Sequence, residues 1–228
     1  MIAHKKKFTL GLAMLIAFFA VLALFFTPIF GGLNGLDYLD SLYNSISKGS
    51  AYYIPKLKDE AKTFSGQNVE LSVAMANPTQ AQQTSRLLTK TGATVSVTDA
   101  TLKASGDLGK ILDGVLADAD AMYKNDGKAV ADKYGFGERQ ALYTWWQAFK
   151  AIEKDFNNQK KFKEAKAVAN IGKKGIEASY NFYRVAPQSI MDRLGVVVFS
   201  LVFYVAYTLW YGFAIMFMFE GWGMQLEH

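Results

Sequence analysis

The side chains best equipped for chemistry form four runs. Asp107, Asp113, Asp118, Asp120 and Asp126 crowd one short stretch. A calcium loop needs oxygen ligands at positions 1, 3 and 5 and glycine at 6. Counting back from Gly127 puts Met122 first, and counting from Asp118 puts Met122 fifth. Both registers fail, so no metal site is expected and the run reads as a solvated acidic helix face. Lys160, Lys161, Lys163, Lys166, Lys173 and Lys174 make a basic run. Such a run can attract anionic headgroups or an acidic partner, or face the acidic 107–126 helix, but a solvated face is the simpler expectation. Trp145 and Trp146 are consecutive, and consecutive helix positions point about 100° apart. One is therefore expected in the core and the other at a domain or partner contact, since tryptophan is common at interface hot spots. Stacking on a sugar or flat ligand is the alternative. The fourth run, Tyr204, Tyr207, Thr208 and Tyr211, has helical spacing inside an uncharged apolar segment. Hydroxyls in hydrocarbon need partners, so this face is predicted to pack on another helix, from this chain, a copy of it or a different subunit. A quinone or lipid groove is the sharper alternative.

Absences narrow the chemistry further. The 228 residues include no Cys, and the only His are His4 and His228. Disulfides, iron–sulfur ligation, zinc–thiolate sites and cysteine nucleophiles are excluded. So are a Ser-His-Asp triad in the middle of the chain and bis-His haem in the apolar segments. No cofactor is expected. An enzyme here would run on Asp, Glu, Tyr, Lys and Ser alone, and nothing locates the carboxylate pair that a glycosidase uses. The net charge of +5 is small and does not point to nucleic acid.

The elements that must position these residues begin with two uncharged segments, residues 8–30 and 194–219. Each is long enough to cross roughly 30 Å of hydrocarbon as a helix. Lys5, Lys6 and Lys7 precede the first, and no Lys or Arg follows the second. The positive-inside rule then predicts a cytoplasmic N-terminus (residues 1–7), an external middle (31–193) and a cytoplasmic tail (220–228), with Trp222 as an interfacial anchor. The first segment is too long, and lacks an A-x-A-like site, for a cleaved signal peptide. The expected location is a bacterial inner membrane with a periplasmic middle domain.

Within the middle, Leu36, Leu39, Leu42, Tyr43 and Ile46 predict an amphipathic helix, and Pro55 starts another. Val69, Leu71, Val73 and Met75 alternate as a strand. Asn77-Pro78 opens a helix that runs to about Lys90 and closes at Gly92. Val95 and Val97 make a second strand, Thr101 to Ala104 a third, and Ser105-Gly106-Asp107 starts the next helix. Residues 66–126 thus form a β-α-β-β-α unit. Residues 127–186 are helical, with Leu142, Trp145, Trp146, Phe149, Ile152 and Phe156 at helical steps. A further helix is predicted over 160–183, with Ala165, Ala169, Gly172 and Ser179 as a small-residue side. Pro187 separates it from the second span or kinks one long helix.

The fold class is therefore an α+β membrane protein, with two transmembrane helices flanking an extracytoplasmic domain. The layout resembles that of bacterial transmembrane receptors in topology alone, and the tail is too short for a kinase or a HAMP-type relay. The function expected is a non-catalytic integral membrane subunit, whose external domain scaffolds or docks a larger assembly through protein–protein contacts. Its partners would be membrane lipids and other membrane-protein subunits or copies of itself, not nucleic acid. The alternative is an external ligand- or lipid-binding receptor that signals through a partner. The interface residues expected are Tyr204, Tyr207, Thr208 and Tyr211 in the membrane and Trp145 and Trp146 outside it.

Overall fold

A computed structural model of the chain describes residues 2–224, so His228 and the end of the tail lie outside the described residues. In chain order the elements are α1 (Lys5–Phe25), α2 (Gly35–Ser50), α3 (Ile54–Lys62), β1 (Asn68–Ala74), α4 (Pro78–Lys90), β2 (Thr94–Thr98), β3 (Thr101–Asp107), α5 (Leu108–Tyr123), α6 (Gly127–Tyr134), α7 (Glu138–Asn158), α8 (Phe162–Ile171), α9 (Ala178–Phe182) and α10 (Leu194–Trp222), with a π-helical stretch at Gly172–Glu177 and a 3₁₀ turn at Met191–Arg193. The fold is α+β, helix-rich, with one small three-stranded sheet and an apolar helix near each end. It divides into Ser50–Ala186 and a second unit that joins the residues before and after that stretch.

In the terminal unit, α1 and α10 are long and apolar enough to cross a membrane. α1 stops at Phe25, short of the expected Phe30. Pro28 explains this: it lacks an N–H and bars the residue before it from helical angles. α10 runs on to Trp222 and ends where Gly223 takes φ +89°. The two helices pack antiparallel, with Lys7 Nζ 2.8 Å from Glu220 Oε2 at one end and Phe25 stacked on Phe203 toward the other. Close approach depends on glycine. A Cβ on Gly11 would lie 2.7 Å from the Ala214 carbonyl, and one on Gly221 would lie 2.6 Å from Phe8 Cα.

In the Ser50–Ala186 unit, the strand order is β1-β3-β2 and both outer strands run antiparallel to β3. Val69, Leu71 and Val73 point inward and are buried, with Leu102 and Ala104 beside them. Glu70, Ser72, Lys103, Ser105, Thr94 and Ser96 form the exposed face. β3 is longer than expected. It pairs with β1 as far as Asp107, and Asp107 then caps α5 by accepting from Lys110 N–H at 3.3 Å. The helix therefore starts at Leu108, after the predicted Ser105. α4 matches its expected signals. Asn77 Oδ1 accepts from Gln80 N–H at 2.9 Å, and Gly92 leaves the helix at φ +88°.

The predicted 160–183 helix is divided into α8, the π stretch and α9. Gly172 and Gly175 lie in the widened turn, and a Cβ on Gly175 would press on Leu116 and Leu57 at 3.3 and 3.4 Å. Nor does this helix run on into α10. Tyr183 is extended, Arg184 takes φ +66°, and helix resumes beyond Pro187.

Candidate functional site

α7 buries its Leu142, Trp145, Phe149, Ile152 and Phe156 stripe and turns the neighbouring step, Tyr143, Trp146 and Lys150, outward. Tyr143 and Trp146 stack with ring centroids 5.7 Å apart, and Lys150 Nζ lies 3.6 Å from the Trp146 ring centre. The opposite wall comes from the π stretch and α9. A π turn holds one more residue per hydrogen-bonded ring than an α turn, so it re-phases the residues after it. Ile176, Glu177, Tyr180 and Asn181 face Leu142, Tyr143 and Trp146 across a groove of about 230 Å³. Glu177 Oε1 accepts from Trp146 Nε1–H at 2.7 Å and fixes the indole plane. Arg139 lies over the Tyr180 ring at 5.8 Å. Near the same end of α7, the Glu138 carboxyl is held below its ordinary range, by its own backbone N–H first and then by the Tyr183 hydroxyl.

This groove offers aromatic faces and a fixed indole, while Lys150 and Arg139 lie over two of its rings without lining it. Its carboxylate is already engaged, and no nucleophile stands beside a base. The volume is below the roughly 300–1,000 Å³ typical of small-molecule sites. It is about the size of one large side chain. More volume, about 490 and 700 Å³, lies above the exposed sheet face around Glu70, Thr94, Ser105 and Gln159. That floor is open and lacks an aromatic wall, so the groove is the better-formed site.

Trp145 and Trp146 divide as their spacing requires. Trp145 is fully buried and donates to Asp118 Oδ2 at 2.8 Å, which removes it from any surface contact. Trp146 alone of the pair reaches the groove. Asp118 departs from the expected solvated acidic face. It is buried and also accepts from the Tyr134 hydroxyl at 2.5 Å and from Lys133 Nζ at 2.7 Å. Asp120 accepts from the Tyr52 hydroxyl and Lys124. Burial raises its carboxyl pKa, and those bonds more than offset that, leaving it below the ordinary 3.8. Among the described residues no cluster of His, Asp and Glu fits a metal ion. In the basic run, Lys163 and Lys174 lie over the Phe64 and Tyr53 rings.

The polar face of α10 also divides. The Tyr207 hydroxyl donates to the Phe18 carbonyl at 2.7 Å, and its ring stacks on Phe18 at 4.1 Å. Tyr211 touches the same Phe18 ring at 5.1 Å. Tyr204 is 69 % exposed, and Thr208 donates back to the Tyr204 carbonyl. α1 thus covers the Tyr207 edge of the arc and leaves the Tyr204–Thr208 edge open. Trp210, not among the expected residues, donates to the Met14 carbonyl at 3.1 Å. Lys5 and Lys6 are exposed, and Trp222 packs on Phe8 at 5.9 Å. Tyr143 was readable from its spacing to Trp146 and Lys150. Glu177, Tyr180 and Asn181 carried no such signal, because their placement depends on the π stretch.

Comparison with protein-family models, with curated proteins and with solved structures finds no match to this chain.

Proposed function

We propose that this chain is a non-catalytic integral membrane subunit whose external domain docks a neighbouring subunit through the Trp146 groove. In this reading α1 and α10 cross a bacterial inner membrane. Lys5, Lys6 and Lys7 keep the N-terminus cytoplasmic, the domain between the spans lies in the periplasm, and the tail after α10 returns to the cytoplasm. Support for the membrane part comes from two helices whose central stretches are uncharged, and between which Tyr207 and Trp210 donate to carbonyls of α1. A polar group in hydrocarbon needs such a partner.

The docking part is carried by one observation, a half-buried tryptophan held flat by Glu177 and Lys150 in a groove the size of a single side chain. Indoles in such settings are frequent interface anchors. The size of the groove favours docking over the receptor alternative. Trp146→Ala is expected to release the co-purifying partner from detergent extracts, roughly a 2 kcal/mol or greater loss for a hot-spot residue, with the helical circular dichroism unchanged. Full retention of the same partners by Trp146→Ala would overturn the assignment of the groove.

A further inference from the structure

The two edges of the sheet are treated differently. On β1, the outward Ser72 N–H donates to Asp155 Oδ2 at 3.1 Å, and the Glu70 carbonyl accepts from Gln159 Nε2 at 2.9 Å. Asp155 of α7 and Gln159 just after it therefore close that edge. These contacts also fix which groups face outward on the far side. Since Glu70 and Ser72 point away from the sheet, Leu71 and Val73 bond to Ala104 and Leu102 of β3. Thr101, Lys103 and Ser105 are then left for Thr98, Ser96 and Thr94 of β2. In an antiparallel ladder the bonding alternates, so the main-chain groups of Val95 and Val97 face outward. Among the described residues none of these groups has a hydrogen-bond partner. Natural edges are guarded by Lys, Pro, bulges or inward charges. β2 has none of them, and its pairing with β3 is unbroken.

The sequence of this edge reads the same in both directions: Thr94-Val95-Ser96-Val97-Thr98. We infer that β2 pairs antiparallel with β2 of a second copy of this chain, with Ser96 opposite Ser96. Val95 and Val97 of one copy then exchange both backbone bonds with Val97 and Val95 of the other. The valines of both copies stay on the core side. The serines and threonines stay on the polar side, where Thr94 meets Thr98, a favourable cross-strand pair. The strand carries no charge, so no like charges are opposed, and a charged peptide gains nothing over a second copy. A five-residue pairing falls short of the roughly 1,200–2,000 Å² that a stable interface buries. It becomes effective when both copies share one bilayer, which raises their local concentration. In that respect the inference rests on the membrane reading above, but it makes no use of the Trp146 groove.

The chain lacks cysteine, so a single Ser96→Cys in the full-length protein reports the pairing directly. Opposed residues of a non-hydrogen-bonded pair have Cα atoms about 4.5 Å apart, within the roughly 4.4–6.8 Å range of disulfides. Under mild oxidation in bilayers, Ser96→Cys is expected to run mostly as a covalent dimer. Thr98→Cys is expected to stay monomeric, because its partner is Thr94. Adding Val97→Pro, which removes an outward donor and no bond to β3, is expected to abolish the Ser96→Cys dimer. Absence of that dimer, equal dimer from Thr98→Cys, or a crosslink solely to a chain of another mass would overturn the inference. Sedimentation with membranes scores the membrane reading separately, and the crosslink pattern is read in whichever fraction holds the chain.

Discussion

Asp118 accepts from Tyr134, Trp145 and Lys133 while buried. A buried carboxylate so fully paired is costly to remove, because its donors are then left without a partner. Asp118→Ala is expected to destabilise the Ser50–Ala186 unit by about 3–5 kcal/mol, read by chemical denaturation. The same network gives an alkaline limit. Burial, then the Asp118 charge and hydrogen bond, push the Tyr134 hydroxyl well above its ordinary 10.0. The folded state keeps that proton after the unfolded chain has lost it. Stability is therefore full below pH about 10 and falls as pH rises further. Trp fluorescence across an alkaline titration checks this, with a shallower slope expected in Tyr134→Phe. Helical spacing puts Asp118 beside the apolar stripe, seven residues after Ile111 and three after Val115, but it does not reveal the donors that Asp118 meets there. Those donors appear only when α6 and α7 bring Tyr134 and Trp145 against α5.

At the scale of elements, the strands were legible wherever alternation was clean, as in Val69, Leu71 and Val73, and α4 wherever its caps were explicit at Asn77-Pro78 and Gly92. The division of the 160–183 segment was not legible. Gly172 reads as one small residue along a continuous helix, whereas in the π stretch the backbone at Gly175 packs close to Leu57 and Leu116. The groove wall from Glu177 to Asn181 was hidden for the same reason. Likewise the Tyr204–Tyr211 face was visible as a polar arc, but which of its edges meets α1 depends on the approach set by Gly11 and Gly221. That dependence can be tested with a pair of glycines. Gly212 has nothing near its missing Cβ, while Gly11 would meet the backbone of α10 at 2.7 Å. Alanine is intrinsically better than glycine in a helix by about 1 kcal/mol. Gly212→Ala is expected to raise thermal stability in detergent and Gly11→Ala to lower it. Equal effects at the two positions would contradict the close α1–α10 contact.

For the whole molecule, composition was the most informative layer: apolar ends, a polar middle, and neither Cys nor internal His. In the proposed topology, orientation is set by charge. Removing Lys5, Lys6 and Lys7 is expected to loosen or invert the topology, seen as altered protease access to the middle domain in sealed vesicles, since flanking positive charge sets orientation. The central claim, a membrane subunit that works through assembly, is tested most directly by the mass of the particle extracted from native membranes in mild detergent, with its chains identified. A stoichiometric complex is expected, either with other membrane subunits or with a second copy of this chain. A lone monomer, or recovery of the chain in the soluble fraction, would contradict it.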